Sequence, residues 1–90
     1  MKITFDPTKR QATLADRQLD FLDAESVFDG PNYRFIDERF DYGEERVVTI
    51  GRLNGRMVVV VWTQRGEARH VISMRKANDR ENVLYGKYLG

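Results

Sequence analysis

The sequence predicts an α+β domain built on an antiparallel sheet, and three features carry that prediction. Asn54-Gly55 lies between two apolar stretches, which is a strong signal for a two-residue β-hairpin turn. The run from Val58 to Val61 is apolar on both faces of a strand, so this arm should lie centrally with both faces covered. Residues 69–75 then form a strand that leads into a capped helix. We expect a meander whose helices pack mainly on one side of the sheet.

The N-terminal third predicts a short strand and two helices. Residues 2–5 alternate polar and apolar side chains and stop at Asp6-Pro7. Asp6 can cap a first helix that has Pro7 in its first turn. Asp20 is a natural N-cap for a second helix, which should end at the Asp-Gly-Pro-Asn turn of residues 29–32.

The C-terminal helix has the clearest start signal. Asn78 is followed three residues later by Glu81, which predicts a capping box. The resulting order is β-α-α-β-β-β-β-α, with four to five strands, two N-terminal helices and one C-terminal helix. The elements between the second and third helices are a strand at 33–37, a charged loop at 38–45, hairpin arms at 46–53 and 56–63, a turn at 65–67 and a strand at 69–75.

Length and composition exclude several classes of protein. Ninety residues supply one modest core, so we expect a single domain over residues 1–90. The lack of cysteine excludes disulfides and thiol nucleophiles, and one histidine cannot build a multi-histidine site, so we predict no metal and no cofactor. No window reaches the ~18 apolar residues of a membrane span. The first ten residues lack the apolar segment of a signal peptide, so we expect a cytoplasmic protein.

Charge is segregated along the chain. Residues 20–45 carry nine acidic side chains against two arginines, a balance of −7, whereas residues 46–90 carry nine basic side chains against three acidic ones, a balance of +6. Seven of those nine bases are arginine. A guanidinium group matches phosphate oxygens with a fork of donors, so the pattern favours contact with a polyanion.

The last strand places two arginines and a hydroxyl on one predicted face. This pattern indicates an RNA- or phosphate-facing surface. Arginines that only keep a half-exposed strand soluble are the alternative. Strand spacing puts Arg69, Val71, Ser73 and Arg75 on this face and His70, Ile72 and Met74 on the other, which should be core apart from His70.

The residue inventory permits charge-assisted RNA cleavage better than other chemistry. Neither GxSxG nor a glycine-rich phosphate loop is present, and the lone His70 fits a packed or hydrogen-bonded residue better than a base. Cleavage by 2′-hydroxyl attack needs a base, a donor for the leaving oxygen and positive charge beside the phosphate. The candidate suppliers are Arg75, Arg80 and Lys76 for charge, Glu81 as base, arginine-orienting carboxylate or helix cap, and Ser73 or Tyr85 as positioning hydroxyl.

The chain resembles the BrnT family of toxins from bacterial type II toxin–antitoxin systems. The most specific part of the likeness is the pattern Ile72-Ser73-x-Arg75-x-Ala77-x-x-x-Glu81-x-x-x-Tyr85. The other matching stretches are FDPTKR, DFLDAESVFDGP and DYGEERVVTIGRLNGRMVVVVWTQRG.

The resemblance implies a RelE-like, metal-independent endoribonuclease that a BrnA-like, DNA-binding antitoxin neutralises. It also implies a heterotetramer in which only the antitoxin reads operator DNA. With the charge pattern, it makes Arg75, Arg80, Glu81, Ser73 and Tyr85 the catalytic candidates. The RNA-binding candidates are Arg65, Arg69, Lys76 and Arg17.

One stretch departs from the family. An Asn-x-x-Lys-His-Gly run usually follows the first helix, but here residues 13–18 read Thr-Leu-Ala-Asp-Arg-Gln. Arg17 could still donate to phosphate but could not act as a base near neutral pH. If the run is mainly a helix stop, losing its glycine only reshapes the turn. The alternative function is therefore a catalytically weakened homologue that acts as an antitoxin-binding module or operon co-repressor.

Overall fold

The chain runs through its elements in the predicted order. The computed structural model describes residues 2–39 and 41–89, so Phe40 of the predicted loop 38–45 lies outside the described residues. None of the helices in these two ranges is long and apolar enough to span a bilayer. The elements are β1 Lys2–Phe5, α1 Pro7–Arg17, a 3₁₀ turn Phe21–Asp23, α2 Ala24–Asp29, β2 Asn32–Ile36, β3 Val47–Leu53, β4 Arg56–Arg65, β5 Ala68–Lys76 and α3 Asp79–Leu89.

The five strands form one mixed sheet in the order β1-β5-β4-β3-β2. The apolar strand β4 lies in the centre, as its sequence predicts. The expectation of an antiparallel sheet is wrong at one edge, because β1 pairs with β5 in parallel, from Lys2 opposite Ala68 to Phe5 opposite Val71. The chain between β1 and β5 is long enough for the connection that a parallel pair requires, so the last strand can return to lie beside the first.

The predicted hairpin forms at Asn54-Gly55. The φ angles of Asn54 and Gly55 are 53° and 77°, so both central residues of the turn have positive φ. Such a turn twists in the same sense as the paired strands, and Asn-Gly tolerates it. It pairs β3 with β4 from Leu53 opposite Arg56 to Val47 opposite Trp62.

Helices cover both faces of the sheet, so the expectation that they pack mainly on one side is wrong. On one face, Val27 and Phe28 of α2 join Val58, Val60 and Trp62 of β4 in the larger core cluster. The other face holds a smaller cluster, which contains Leu89 of α3 and these strand residues: Val48, Ile50, Met57 and Val59. We call these the α2 face and the α3 face.

The N-terminal caps form as the sequence predicts. Asp6 accepts a hydrogen bond from Thr8 N at 2.9 Å, and Asp20 accepts one from Leu22 N at 3.0 Å. Asp20 also holds Arg10 through two hydrogen bonds of 2.7 and 2.9 Å, which join α1 to the 3₁₀ turn. The second predicted helix therefore opens with the 3₁₀ turn and continues as the short α2.

A β-bulge in β5 overturns the predicted division of its faces. Val61 pairs with Ser73 while Trp62 pairs with Val71, so Ile72 is an extra residue between them. An extra residue reverses the side-chain alternation that follows it. Val71 therefore packs in the α2-face core, whereas Ser73 turns to the α3 face. Met74 also joins the α2-face core and is fully buried.

His70 is a packed, hydrogen-bonded residue. Its Nδ1 lies 2.9 Å from Thr4 Oγ1, which links β5 to β1. Burial lowers the pKa of His70 below its ordinary value, so the ring favours its neutral form.

Candidate functional site

Arg75 is fixed by the carboxylate of Glu81. Arg75 Nη1 donates to Glu81 Oε1 at 2.7 Å, and Nη2 donates to Oε2 at 2.8 Å. Arg75 ends β5 and Glu81 lies in the first turn of α3, so the pair closes the corner between the strand and the helix. These hydrogen bonds raise the pKa of Arg75 and lower that of Glu81. Both groups are therefore charged at neutral pH.

Glu81 serves the helix as well as the arginine. Asn78 N donates to Glu81 Oε1 at 2.9 Å, and Glu81 N donates to Asn78 Oδ1 at 2.8 Å, which is the predicted capping box. Both carboxylate oxygens therefore already accept hydrogen bonds. A carboxylate held in this way with a lowered pKa is a weak base, so the geometry favours the arginine-orienting and capping roles over the catalytic base.

Arg75 and Glu81 line a cavity of about 580 Å³ on the α3 face of the sheet. Ser73 is also in its wall, so the structure brings three of the predicted catalytic residues together. The floor of this cavity is apolar and comes from the central strands. We call it the apolar pocket, and its floor consists of Val48, Ile50, Val59 and Val61.

A second arginine–carboxylate pair lies across the apolar pocket, and the sequence analysis missed it. Arg39 Nε and Nη2 donate to Asp37 Oδ1 and Oδ2, each at 2.9 Å. Tyr42 OH donates to Asp37 Oδ2 at 3.1 Å. These bonds, led by those from Arg39, hold the pKa of Asp37 well below its usual range. Asp37 is buried, so Arg39 and Tyr42 of the predicted charged loop are held by a buried carboxylate.

A signal for this pair was present in the sequence, but it was ambiguous. An acid and an arginine two residues apart, directly after a strand, can meet across a turn. The same stretch also contains Glu38, Asp41, Glu44 and Glu45, which describes a charged loop equally well. Only the fold shows that Arg39 and Arg75 line the same cavity.

Arg75 also borders a basic groove on its other side. This groove, which has a volume of about 510 Å³, is lined by Asp16, Arg17, Gln18, Arg75 and Lys76. Its charged residues sum to +2, whereas those of the apolar pocket (Asp37, Glu38, Arg39, Arg75 and Glu81) sum to −1. Two of the predicted RNA-binding residues, Arg17 and Lys76, therefore lie beside Arg75.

The departing run 13–18 forms the end of α1 and part of the groove. Arg17 Nη1 donates to Met74 O at 3.0 Å, which ties the helix end to β5 next to Arg75. Gln18 takes the left-handed conformation, with φ 59° and ψ 34°, and its N–H donates to Leu14 O at 3.0 Å. The helix stop therefore survives the loss of the family's glycine, although the conformation strains a residue that has a Cβ.

Arg69 lies on the opposite face of the sheet from Arg75, contrary to the sequence expectation. Its guanidinium carbon is 4.6 Å from the ring centroid of Phe28 and 4.9 Å from that of Trp62. Burial lowers the pKa of Arg69. Trp62 is buried and its Nε1 donates to Thr49 Oγ1 at 2.8 Å, so it is a core residue.

The other candidates are separated from the Arg75 corner. Arg65 is six residues along β4 from the partner of Arg75, about 20 Å away at strand spacing, and pairs with Glu44 at 3.6 Å. Arg80 is exposed at the start of α3 and lines neither the pocket nor the groove. Tyr85 lies outside the pocket, but its ring is nearly parallel to that of Phe35, at 15° with centroids 6.2 Å apart. Phe35 itself lines the pocket.

No cluster of three or more His, Asp or Glu side chains that could hold a metal ion occurs within residues 2–39 and 41–89.

The sequence comparison identifies the family. Residues 5–81 match the family described as "Ribonuclease toxin, BrnT, of type II toxin-antitoxin system". No curated protein matches the chain. The matched range spans most of the sequence, from the end of β1 to Glu81, and includes both arginine–carboxylate pairs. The chain therefore belongs to the BrnT family of type II toxin–antitoxin ribonuclease toxins.

Proposed function

We propose that this protein is an endoribonuclease toxin that cleaves RNA at the corner formed by Arg75, Ser73 and Glu81. The observation that carries the proposal is the position of Arg75, which Glu81 fixes at the junction of the basic groove and the apolar pocket. Membership of a ribonuclease toxin family gives the reaction class. We assign the domain to the RelE-like ribonuclease fold, as the resemblance implies.

Arg75 retains a free fork of donors while it is bound to Glu81. Its Nη1 hydrogens go to Glu81 and Lys76 O, and one Nη2 hydrogen goes to Glu81. Within residues 2–39 and 41–89, its Nε–H and second Nη2–H make no hydrogen bond. These two donors lie along one edge of the guanidinium plane, which is the geometry that binds two phosphate oxygens.

Catalysis in this proposal rests on charge stabilisation. Water takes the proton of the 2′-hydroxyl of RNA as that oxygen attacks the adjacent phosphorus, and water protonates the 5′-oxygen of the next nucleotide as it leaves, which gives a 2′,3′-cyclic phosphate and a 5′-hydroxyl. Negative charge builds on the non-bridging oxygens during the attack. Arg75 meets that charge from a fixed position, which avoids reorganisation during the reaction. Ser73 offers a hydroxyl to position the phosphate or the ribose. Arg17 and Lys76 hold the flanking phosphates in the basic groove, and the reaction needs no metal.

A protein antitoxin is the second partner in this proposal. Membership of a type II system implies a protein antitoxin. We propose that it is a BrnA-like, DNA-binding protein, that the two chains form a cytoplasmic heterotetramer, and that the antitoxin alone reads operator DNA. The acidic residues of the 20–45 segment offer a surface for a basic antitoxin.

Expression without antitoxin tests the function. The wild-type chain should arrest bacterial growth and degrade cellular RNA, and the purified protein should cleave total RNA in the presence of a chelator. An Arg75→Ala variant should do neither. Growth arrest by both proteins would show that Arg75 is not required at the site. Full growth with wild-type protein that is folded and abundant would contradict the toxin assignment and favour the antitoxin-binding alternative.

A further inference from the structure

We propose that the apolar pocket is a binding site for one nucleobase of single-stranded RNA, next to the phosphate held at Arg75. This inference rests on the proposed ribonuclease function and specifies how the substrate lies. It assigns the phosphates to the basic groove and the base to the pocket, with Arg75 between them.

Charge separates the two cavities that meet at Arg75. The groove has a formal charge of +2 and suits phosphate, whereas the pocket has a charge of −1 and would repel it. The pocket also has a floor of four aliphatic side chains, of which Val61 is the most accessible. An apolar floor with a polar rim fits a flat heterocycle better than an anion.

The wall of the pocket offers an aromatic surface. Phe35 lines the pocket and is 38% exposed, and its ring centroid lies 6.2 Å from that of Tyr33 on the same strand. Tyr85 lies nearly parallel to Phe35 from outside the pocket, so it supports the ring of Phe35. A base that enters the pocket can contact Phe35. In single-strand binding proteins, successive bases stack on aromatic rings in this way. Tyr85 is then a positioning residue.

The rim supplies hydrogen-bonding groups for the edge of the base. Arg39 is anchored by Asp37, and the side chain of Arg39 is 75% exposed. Arg39 and Arg75 both line the apolar pocket. Glu38 is also exposed on this rim. Donors and acceptors thus surround an apolar centre, which is what a base requires.

Binding of two non-cleavable oligonucleotides tests whether the apolar pocket binds a base. One is an eight-nucleotide 2′-O-methyl oligoadenylate, and the other is the same 2′-O-methyl sugar–phosphate chain with every base removed. Fluorescence anisotropy at one salt concentration should show about tenfold tighter binding of the base-bearing chain, because each stacked base contributes appreciably to affinity. Equal affinity for the two chains, or no binding of either, would overturn the proposal.

Variants of the pocket and the groove should separate the two contributions. Phe35→Ala should reduce the preference for the base-bearing chain and leave binding of the abasic chain unchanged. Phe35→Tyr should restore the preference because it keeps the ring. Lys76→Ala should weaken binding of both chains equally. Leu22→Ala, an exposed apolar residue outside the pocket, is the matched control.

Two other outcomes would lead to different conclusions. The oligonucleotides cannot be cleaved, so their binding is measured independently of cleavage. Base-dependent binding without any cleavage of natural RNA would support the base-binding site and contradict the proposed ribonuclease function. An antitoxin segment is the other candidate occupant of the pocket. If Phe35→Ala weakened antitoxin binding and left RNA binding unchanged, the pocket would bind the antitoxin and the proposed base-binding site would be excluded.

Discussion

Arg75 and Glu81 are joined by two hydrogen bonds of 2.7 and 2.8 Å, and the same carboxylate also accepts from Asn78 N at 2.9 Å. One side chain therefore starts α3 and orients the arginine at the end of β5. The stability of the helix start and the geometry of the proposed site are physically coupled through Glu81.

Glutamine at position 81 should separate capping from arginine orientation. Gln retains the acceptor of a capping box, so Glu81→Gln should lower the free energy of unfolding only slightly, whereas Glu81→Ala should cost about 1 kcal/mol. The ion pair adds little, because Arg75 is 45% exposed. Both variants should cleave RNA more slowly because Arg75 loses its charged anchor. Denaturant unfolding and cleavage rates check this, and a fully active Glu81→Gln protein would contradict the orienting role.

Acid should destabilise the protein partly through Glu81. Its pKa in the folded state is lowered from 4.5, chiefly by the hydrogen bonds from Arg75, so the unfolded chain binds the proton more readily. The contribution of Glu81 is therefore complete above pH 4.5 and is lost as the pH falls through the folded-state pKa. Asp20 and Asp37 act in the same direction below 3.8. Thermal unfolding midpoints should fall in acid, and less steeply in Glu81→Gln.

Two glycines should respond oppositely to alanine. A Cβ on Gly51 would lie 2.7 Å from Val27 Cγ1, in the contact between β3 and α2. Val27 is fully buried and β-branched, so it cannot yield easily, and Gly51→Ala should cost about 1–3 kcal/mol. Gly86 lies within α3, and a Cβ there meets nothing within 4 Å. Gly86→Ala should therefore stabilise by about 1 kcal/mol. Denaturant unfolding of both variants tests the α2 packing.

The end of α1 should gain stability from glycine. Gln18 has φ 59°, a conformation that glycine adopts without the strain a Cβ causes. Gln18→Gly should raise the free energy of unfolding by about 1 kcal/mol. Ala15→Gly, three residues earlier and exposed inside the helix, should lower it by about 1 kcal/mol. Destabilisation by both changes would mean that Gln18 is held by contacts that outweigh its backbone strain.

Local signals predicted the elements well. Asn54-Gly55 set the hairpin, the apolar run of β4 gave its central position, and Asn78 with Glu81 marked the start of α3. Each of these depends on residues close in sequence, where propensity and capping act directly.

Features that depend on distant pairing could not be predicted from the sequence. The parallel contact of β1 with β5 joins residues more than sixty positions apart. The bulge at Ile72 follows from the register with β4, and it moved Ser73 and Arg75 to the face opposite Arg69. Strand alternation alone therefore placed Arg69 and Arg75 on the same face, which is wrong. Of the predicted catalytic residues, Arg75, Ser73 and Glu81 meet in one pocket, while Arg80 and Tyr85 lie outside it.

The rate of RNA cleavage by Arg75→Ala, compared with Arg80→Ala, tests the central claim most directly. Both arginines lie near the start of α3, but only Arg75 lines the pocket and the groove. Under single-turnover conditions on one RNA, Arg75→Ala should be slower than wild type by about 10²–10³-fold, because it loses the fixed donor to the phosphate. Arg80→Ala should remain within a few-fold of wild type. Equal rates for the two variants, or a larger loss in Arg80→Ala, would contradict the site.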